Sequence, residues 1–202
     1  MNLTFDPDFS NGAWPGPLRG REAVAGEEWV GPARLVSLLE GALGLPGDAV
    51  GASDRTARLA QAVVLIPGFW SESASADPLG TARRLLEWRD RLAMAGWTGA
   101  SGQPRLSALG QVVRSAPPGM PDRLRWIEEA LQRRPSGLET LTLAAPRAEF
   151  APLWQRVFEA LESAGTRITE KRLEPSDARG DLAAARAEAV AILLAPHSQG
   201  TP

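Results

Sequence analysis

The chain reads as an α/β fold, a short and mostly parallel sheet flanked by helices with a helical block over residues 53–134. Three observations predict it. Residues 140–173 alternate strand, helix and strand, a succession that places two parallel strands side by side through a right-handed crossover. Two short strand candidates open the chain, and the second runs through Gly31-Pro32 straight into an apolar helix. Between these ends, residues 53–134 repeat apolar positions at three- and four-residue spacing.

Taken in order, Leu3 to Phe5 forms the first strand, and the Pro- and Gly-rich stretch from Asp6 to Gly26 is a long loop. Glu28 to Val30 forms the second strand. Gly31-Pro32 turns into a helix carried by Leu35, Leu38, Leu39 and Leu43, stopped by Gly44 and Pro46. Ser53 to Leu65 continues as helix, with Ser53 or Asp54 as cap; its VVLI end also suits a buried strand, and the unpunctuated run from Thr56 to Ala62 favours helix.

The stretch from Phe69 to Trp97 carries the strongest local signal. Asp77 is placed to cap the first turn and Pro78 sits where its missing N–H costs nothing. Leu79, Ala82, Leu85, Leu86, Leu92 and Ala93 make one apolar stripe, and Gly96 ends the helix. Arg83, Arg84, Glu87, Asp90 and Arg91 fall on the outer face, where Arg83 and Glu87 form an i,i+4 pair. Trp88 and Trp97 read as structural aromatics at the edge of a core. Two further helices, Ser107 to Ser115 and Pro121 to Arg133, flank an APPGMP turn. In the final third, Thr140 to Leu143 is a strand, Glu149 to Ala164 a helix capped by Gly165, and Thr166 to Leu173 an alternating strand. Asp181 to Val190 is helical, and Ala191 to Ala195 is a strand candidate.

Composition excludes several classes of function. The 202 residues bury one good core, or a core with a helical addition, so one domain over 1–202 is expected. A net charge of -2 argues against a generally basic nucleic-acid surface, though a local basic groove fits within it. Cysteine is absent, which removes disulfides, thiolate nucleophiles and cysteine metal sites. The start MNLTFDPDF has neither a basic nor an apolar leader pattern, and the apolar run near Ala62 to Pro67 is far too short to span a membrane, so a cytoplasmic location is expected.

Catalytic chemistry finds no footing. A phosphate cradle of the GxxxxGK[ST] type is missing, and Lys171, the sole lysine, lies in TEKRLEP with no glycine loop beside it. Pro175-Ser176-Asp177 matches a nuclease PD motif only superficially, and Glu170-Lys171 are adjacent rather than spaced as ExK. His197, the single histidine, lies near the chain end next to Ser198, a poor place to hold a triad. No catalytic, cofactor or metal residues are therefore assigned. Two binding readings remain: an anion at the Gly31-Pro32 helix start, as in a stand-alone α/β protein taking an anionic metabolite, and nucleic acid. For the latter, seven tryptophans offer stacking surfaces and Arg83, Arg84, Arg133 and Arg134 offer phosphate contacts.

Four words of the sequence carry a family resemblance: ADPLGTARRLLEWRDRLAMAGW at 76–97, EEWVGPARLVSLLEGALGL at 27–45, APRAEFAPLWQRVFEALESAG at 145–165 and ARGDL at 178–182. They resemble the amino-terminal region of large bacterial PD-(D/E)XK-superfamily proteins, which are similar to AddB/RexB-type subunits of helicase-nucleases. The resemblance implies a degenerate, P-loop NTPase-like domain excised from a longer protein, with 53–134 as an insertion and the nuclease far downstream. It implies as partners the remainder of the same polypeptide, DNA and a helicase-nuclease partner subunit. The expected function is that of a catalytically silent helicase-like scaffold of a DNA repair or recombination exonuclease, helping to guide DNA.

Overall fold

The computed structural model describes residues 2–8, 27–47 and 50–170. The expectations for most of the long loop, for Trp14 and for everything from Lys171 onward, including the Asp181 to Val190 helix, lie outside the described residues.

Four strands form one sheet in the order β2-β1-β3-β4: β1 is Asn2–Phe5, β2 Glu27–Val30, β3 Thr140–Leu143 and β4 Arg167–Glu170. Every pairing is parallel. Register explains the alternating sequences. Phe5 stands opposite Val30 and Leu143, and Leu3 opposite Leu141, which itself faces Ile168, so the apolar residues align on one face. Thr142 and Thr169 align on the other, where their hydroxyls lie 3.1 Å apart.

Three helices fill the apolar face: α1 (Pro32–Leu43), α6 (Met120–Leu131) and α7 (Pro152–Ser163). Proline stands in the first turn of each, where a backbone N–H would have no intrahelical partner. Gly44 ends α1 at φ 57°, a left-handed conformation that suits glycine. Gly165 similarly follows α7, and the Thr166 N–H reaches back to the Leu161 carbonyl at 2.9 Å. Phe5 lies at the centre of this core, its ring 4.9 Å from Trp154 and 5.5 Å from Phe150. Offset and tilted rings at such spacings add about 0.5–1.5 kcal/mol per pair beyond the area they bury.

A second core lies between β2 and β3 in the chain. It is built by α2 (Ala52–Leu65), α3 (Ser71–Ala76), α4 (Pro78–Met94) and α5 (Pro104–Val112), from Leu59, Val63, Trp70, Leu85, Leu86 and Leu109 among others. Val63 to Leu65 of the VVLI run are helical, as their continuity with the preceding residues suggests, and Ile66 is the extended residue that ends the helix. Its cap differs from expectation: Gly51 holds the N-cap position and neither Ser53 nor Asp54 makes a side-chain cap bond. Asp77 does cap α4, accepting from the Gly80 N–H at 2.9 Å. Of the helices expected over 53–134, α6 joins the sheet core, because Leu124, Ile127, Ala130 and Leu131 face α1 and α7.

Ion pairs tie the two cores together. Arg55 on α2 grips Asp90 on α4 with two hydrogen bonds of 2.9 and 3.1 Å, and its Nε donates to the Pro117 carbonyl. Arg89, next along α4, donates to Asp90 at 2.8 Å and to both carboxylate oxygens of Asp122 on α6. Asp90 is therefore not on the outer face as the helical wheel suggests; it turns inward because two guanidinium groups reach it there.

Candidate nucleic-acid interface

The turn between α2 and α3 decides which aromatic is hidden and which is shown. Trp70 is buried, with its indole N–H donating to the Ile66 carbonyl at 3.1 Å and the Val63 carbonyl at 3.3 Å. Anchored this way, Trp70 leaves its neighbour Phe69 41% exposed. Phe69 packs edge-on against Trp70, with ring centroids 4.9 Å apart. It lies near-parallel to Trp88 of α4, at 6.4 Å and an interplanar angle of 20°. Trp88 is itself 43% exposed and stands off the Ala82, Leu85 and Leu86 stripe, at the edge of the second core, where Phe69 links it to the buried Trp70. Trp97 behaves as expected, partly buried against the second core with its N–H on the Ala100 carbonyl at 3.0 Å.

Arginines border this aromatic pair. Arg105 of α5 places its guanidinium carbon 5.7 Å from the Phe69 ring centroid, a cation–π arrangement. Arg84 and Arg91 stand four residues before and three after Trp88, hence on the same face of α4. Arg84 shares Glu87 at 3.4 Å, and Arg91 has no ion-pair partner among the described residues. Val64 and Leu65, at the end of α2 and a few residues before Phe69 in the chain, are 62% and 80% exposed. Two partly exposed rings, with Arg105 over Phe69 and with Arg84 and Arg91 on the Trp88 face of α4, form a surface of the kind that suits stacked bases and their phosphates.

The α4 scaffold that presents Trp88 is held from behind by the Arg55, Asp90, Arg89 and Asp122 chain. Burial by itself raises the Asp122 carboxyl, but hydrogen bonds from Arg89 and the Gly119 N–H, with the charges of Arg89 and Arg55, outweigh it and hold the group below the usual carboxylate range. Burial likewise opposes the charge on Arg89, and its hydrogen bonds and attraction to Asp122 and Asp90 outweigh that and raise it.

The four arginines expected to touch phosphate are not brought together. Arg83 and Arg84 are exposed on α4, while Arg133 and Arg134 lie exposed just past α6, with the Arg134 guanidinium beside Gly44. No hydrogen bond or ion pair among the described residues joins the two sets. The expected Arg83–Glu87 pair is replaced by Arg84–Glu87, one residue closer along the helix. Leu79, assigned to the buried stripe, is 57% exposed. Arg105 was missed by sequence reasoning, and nothing local marks it, since its partner lies across the helix-to-helix contact.

The Gly31-Pro32 start offers little to an anion. Gly31 is buried, and the Arg34 guanidinium that follows it lies 3.3 Å from the Glu28 carboxylate, which offsets its charge. Among the described residues, no group of three or more His, Cys, Asp or Glu side chains is placed to hold a metal. No helix among them is long and apolar enough to cross a membrane. No protein-family profile matches the chain, and no curated protein matches it significantly.

Proposed function

We propose that this chain is a non-catalytic, helicase-like scaffold of a larger AddB/RexB-like DNA repair or recombination exonuclease, and that it guides single-stranded DNA across the Phe69–Trp88 surface. The observation that carries the reading is the exposed pair of near-parallel rings bordered by Arg84, Arg91 and Arg105. Buried aromatics stabilise a fold; a half-exposed pair with cations at its rim stabilises it little and is suited to bases, which all present a π-face. In this reading the parallel sheet is a degenerate relative of the P-loop NTPase sheet, and the helices of the second core are an insertion within it. Its partners are the remainder of the polypeptide, DNA and a helicase-nuclease partner subunit, and it works in the cytoplasm.

Binding of a fluorescent single-stranded oligonucleotide across a salt series tests the proposal. Affinity should fall steadily as salt rises, with a slope of about -0.7 per phosphate neutralised. Failure to bind the oligonucleotide at low salt would sink the guiding role, and micromolar affinity for ATP would sink the silent one.

A further inference from the structure

A second cationic feature lies away from the aromatic pair, in a cleft of about 450 Å³ where α4, the loop of residues 95–103, α5 and α6 meet. Its polar lining is Arg89, Arg114, Arg125, Thr98, Ser101 and Ser107, and no carboxylate lines it. We propose that this cleft binds a phosphate dianion, either inorganic phosphate or a terminal phosphomonoester.

Charge matching points to an anion. Arg55 and Arg89 are balanced by Asp90 and Asp122, a closed set of two cations and two anions. Arg114 and Arg125 have no carboxylate partner among the described residues, so two positive charges face one concavity uncompensated. A doubly charged anion cancels that excess. Geometry supports the match. Arg125 donates one N–H to the Trp97 carbonyl, which holds the guanidinium in place and leaves further donors of its five-hydrogen fork for a ligand. Ser107 on α5 and Arg114 in the short helical turn that follows it lie on one side of the cleft, with Gly110 between them.

The cleft is also shaped by close packing. A Cβ on Gly110 would stand 2.2 Å from the Gly99 carbonyl oxygen, so only glycine lets the loop seat on α5. Gly99 itself sits at φ 94°, the left-handed side of backbone space that glycine tolerates. The loop residues that present Thr98 and Ser101 are fixed by this contact and by the Trp97 N–H bond to Ala100. Hydroxyls and guanidinium groups held around one space are the donor types that phosphate oxygens take.

Calorimetric titration in a phosphate-free buffer, at constant ionic strength, tests the site with three probes: sodium phosphate, a 5′-phosphorylated oligonucleotide and the same oligonucleotide with a 5′-hydroxyl. The wild-type protein should bind phosphate saturably. Arg114→Ala should weaken it by about 10-fold or more, the effect of losing a charge-assisted contact, Arg114→Lys should recover part of it, and Arg58→Ala on the exposed side of α2 should leave it unchanged. Competition with phosphate by the 5′-phosphorylated oligonucleotide alone would identify a DNA end as the source; no competition by either would identify a free phosphate or small ester, and both results support the site. Absence of saturable phosphate binding, or equal affinity in wild type and Arg114→Ala, would overturn the proposal. Neither result depends on Phe69 or Trp88, so the cleft and the aromatic surface stand or fall separately.

Discussion

Arg123 of α6 meets Glu40 of α1 through two hydrogen bonds, Nε to one carboxylate oxygen at 2.7 Å and a terminal nitrogen to the other at 2.6 Å, with Glu40 only 1% exposed. The pair sits inside the sheet core's helical layer, and Ser37 adds a third contact at 3.3 Å. Removing one partner strands a buried charge, so Glu40→Ala or Arg123→Ala should each destabilise the fold by about 3–5 kcal/mol. Replacing both, as Glu40→Met with Arg123→Leu, should cost much less, because no charge is then left unmatched. Urea unfolding of the three variants measures the difference.

Two glycines in helices should respond in opposite directions to alanine. Gly110→Ala places a methyl group on the Gly99 carbonyl and should cost about 1–3 kcal/mol through overpacking. Gly41, inside α1, has nothing within 4 Å of where an alanine methyl group would stand, so Gly41→Ala should stabilise by about 0.5–1 kcal/mol through its better helix propensity. Thermal unfolding of both variants checks the signs.

Acid should loosen the join between the two cores. The Asp122 carboxyl titrates below its ordinary value of 3.8 in the folded protein, so its contribution to stability is complete above that value and is lost as pH falls through the lowered one. Asp122→Asn should therefore be less stable than wild type at neutral pH, and the gap should narrow as the solution is acidified below about pH 4. Unfolding midpoints measured from about pH 7 down to about pH 2 supply the test; a gap that stays constant across the range would contradict it.

Local signals in the sequence carried much of the architecture. Asp77-Pro78 announces the start of α4, Gly44 and Gly165 mark the ends of α1 and α7, and the alternating NLTF and TLTL stretches mark strands with one apolar face. Parallel pairing followed from the helix that joins the last two strands. The short helix α3 escaped notice because its six residues follow Trp70, which offers no side-chain cap. What sequence could not supply were contacts between distant residues. Arg55 and Asp90 are 35 positions apart, Arg89 and Asp122 are 33 apart, and Arg123 and Glu40 are 83 apart, so no periodicity within one helix reveals that they meet. The candidate interface was half legible: Trp88 and Arg84 lay in a segment that stood out, but the Phe69 stack and the Arg105 contact depend on how α2, α4 and α5 cross.

The claim that Phe69 and Trp88 form a base-stacking surface is tested most directly by comparing single-stranded DNA affinity in wild type, Phe69→Ala and Trp88→Ala at one fixed, low salt concentration. Each ring should be worth about 1–3 kcal/mol of binding, so each variant should bind about 5- to 100-fold more weakly. Because both side chains lie partly in solvent, the fold should remain intact by circular dichroism. Unchanged affinity in two well-folded variants would contradict the account.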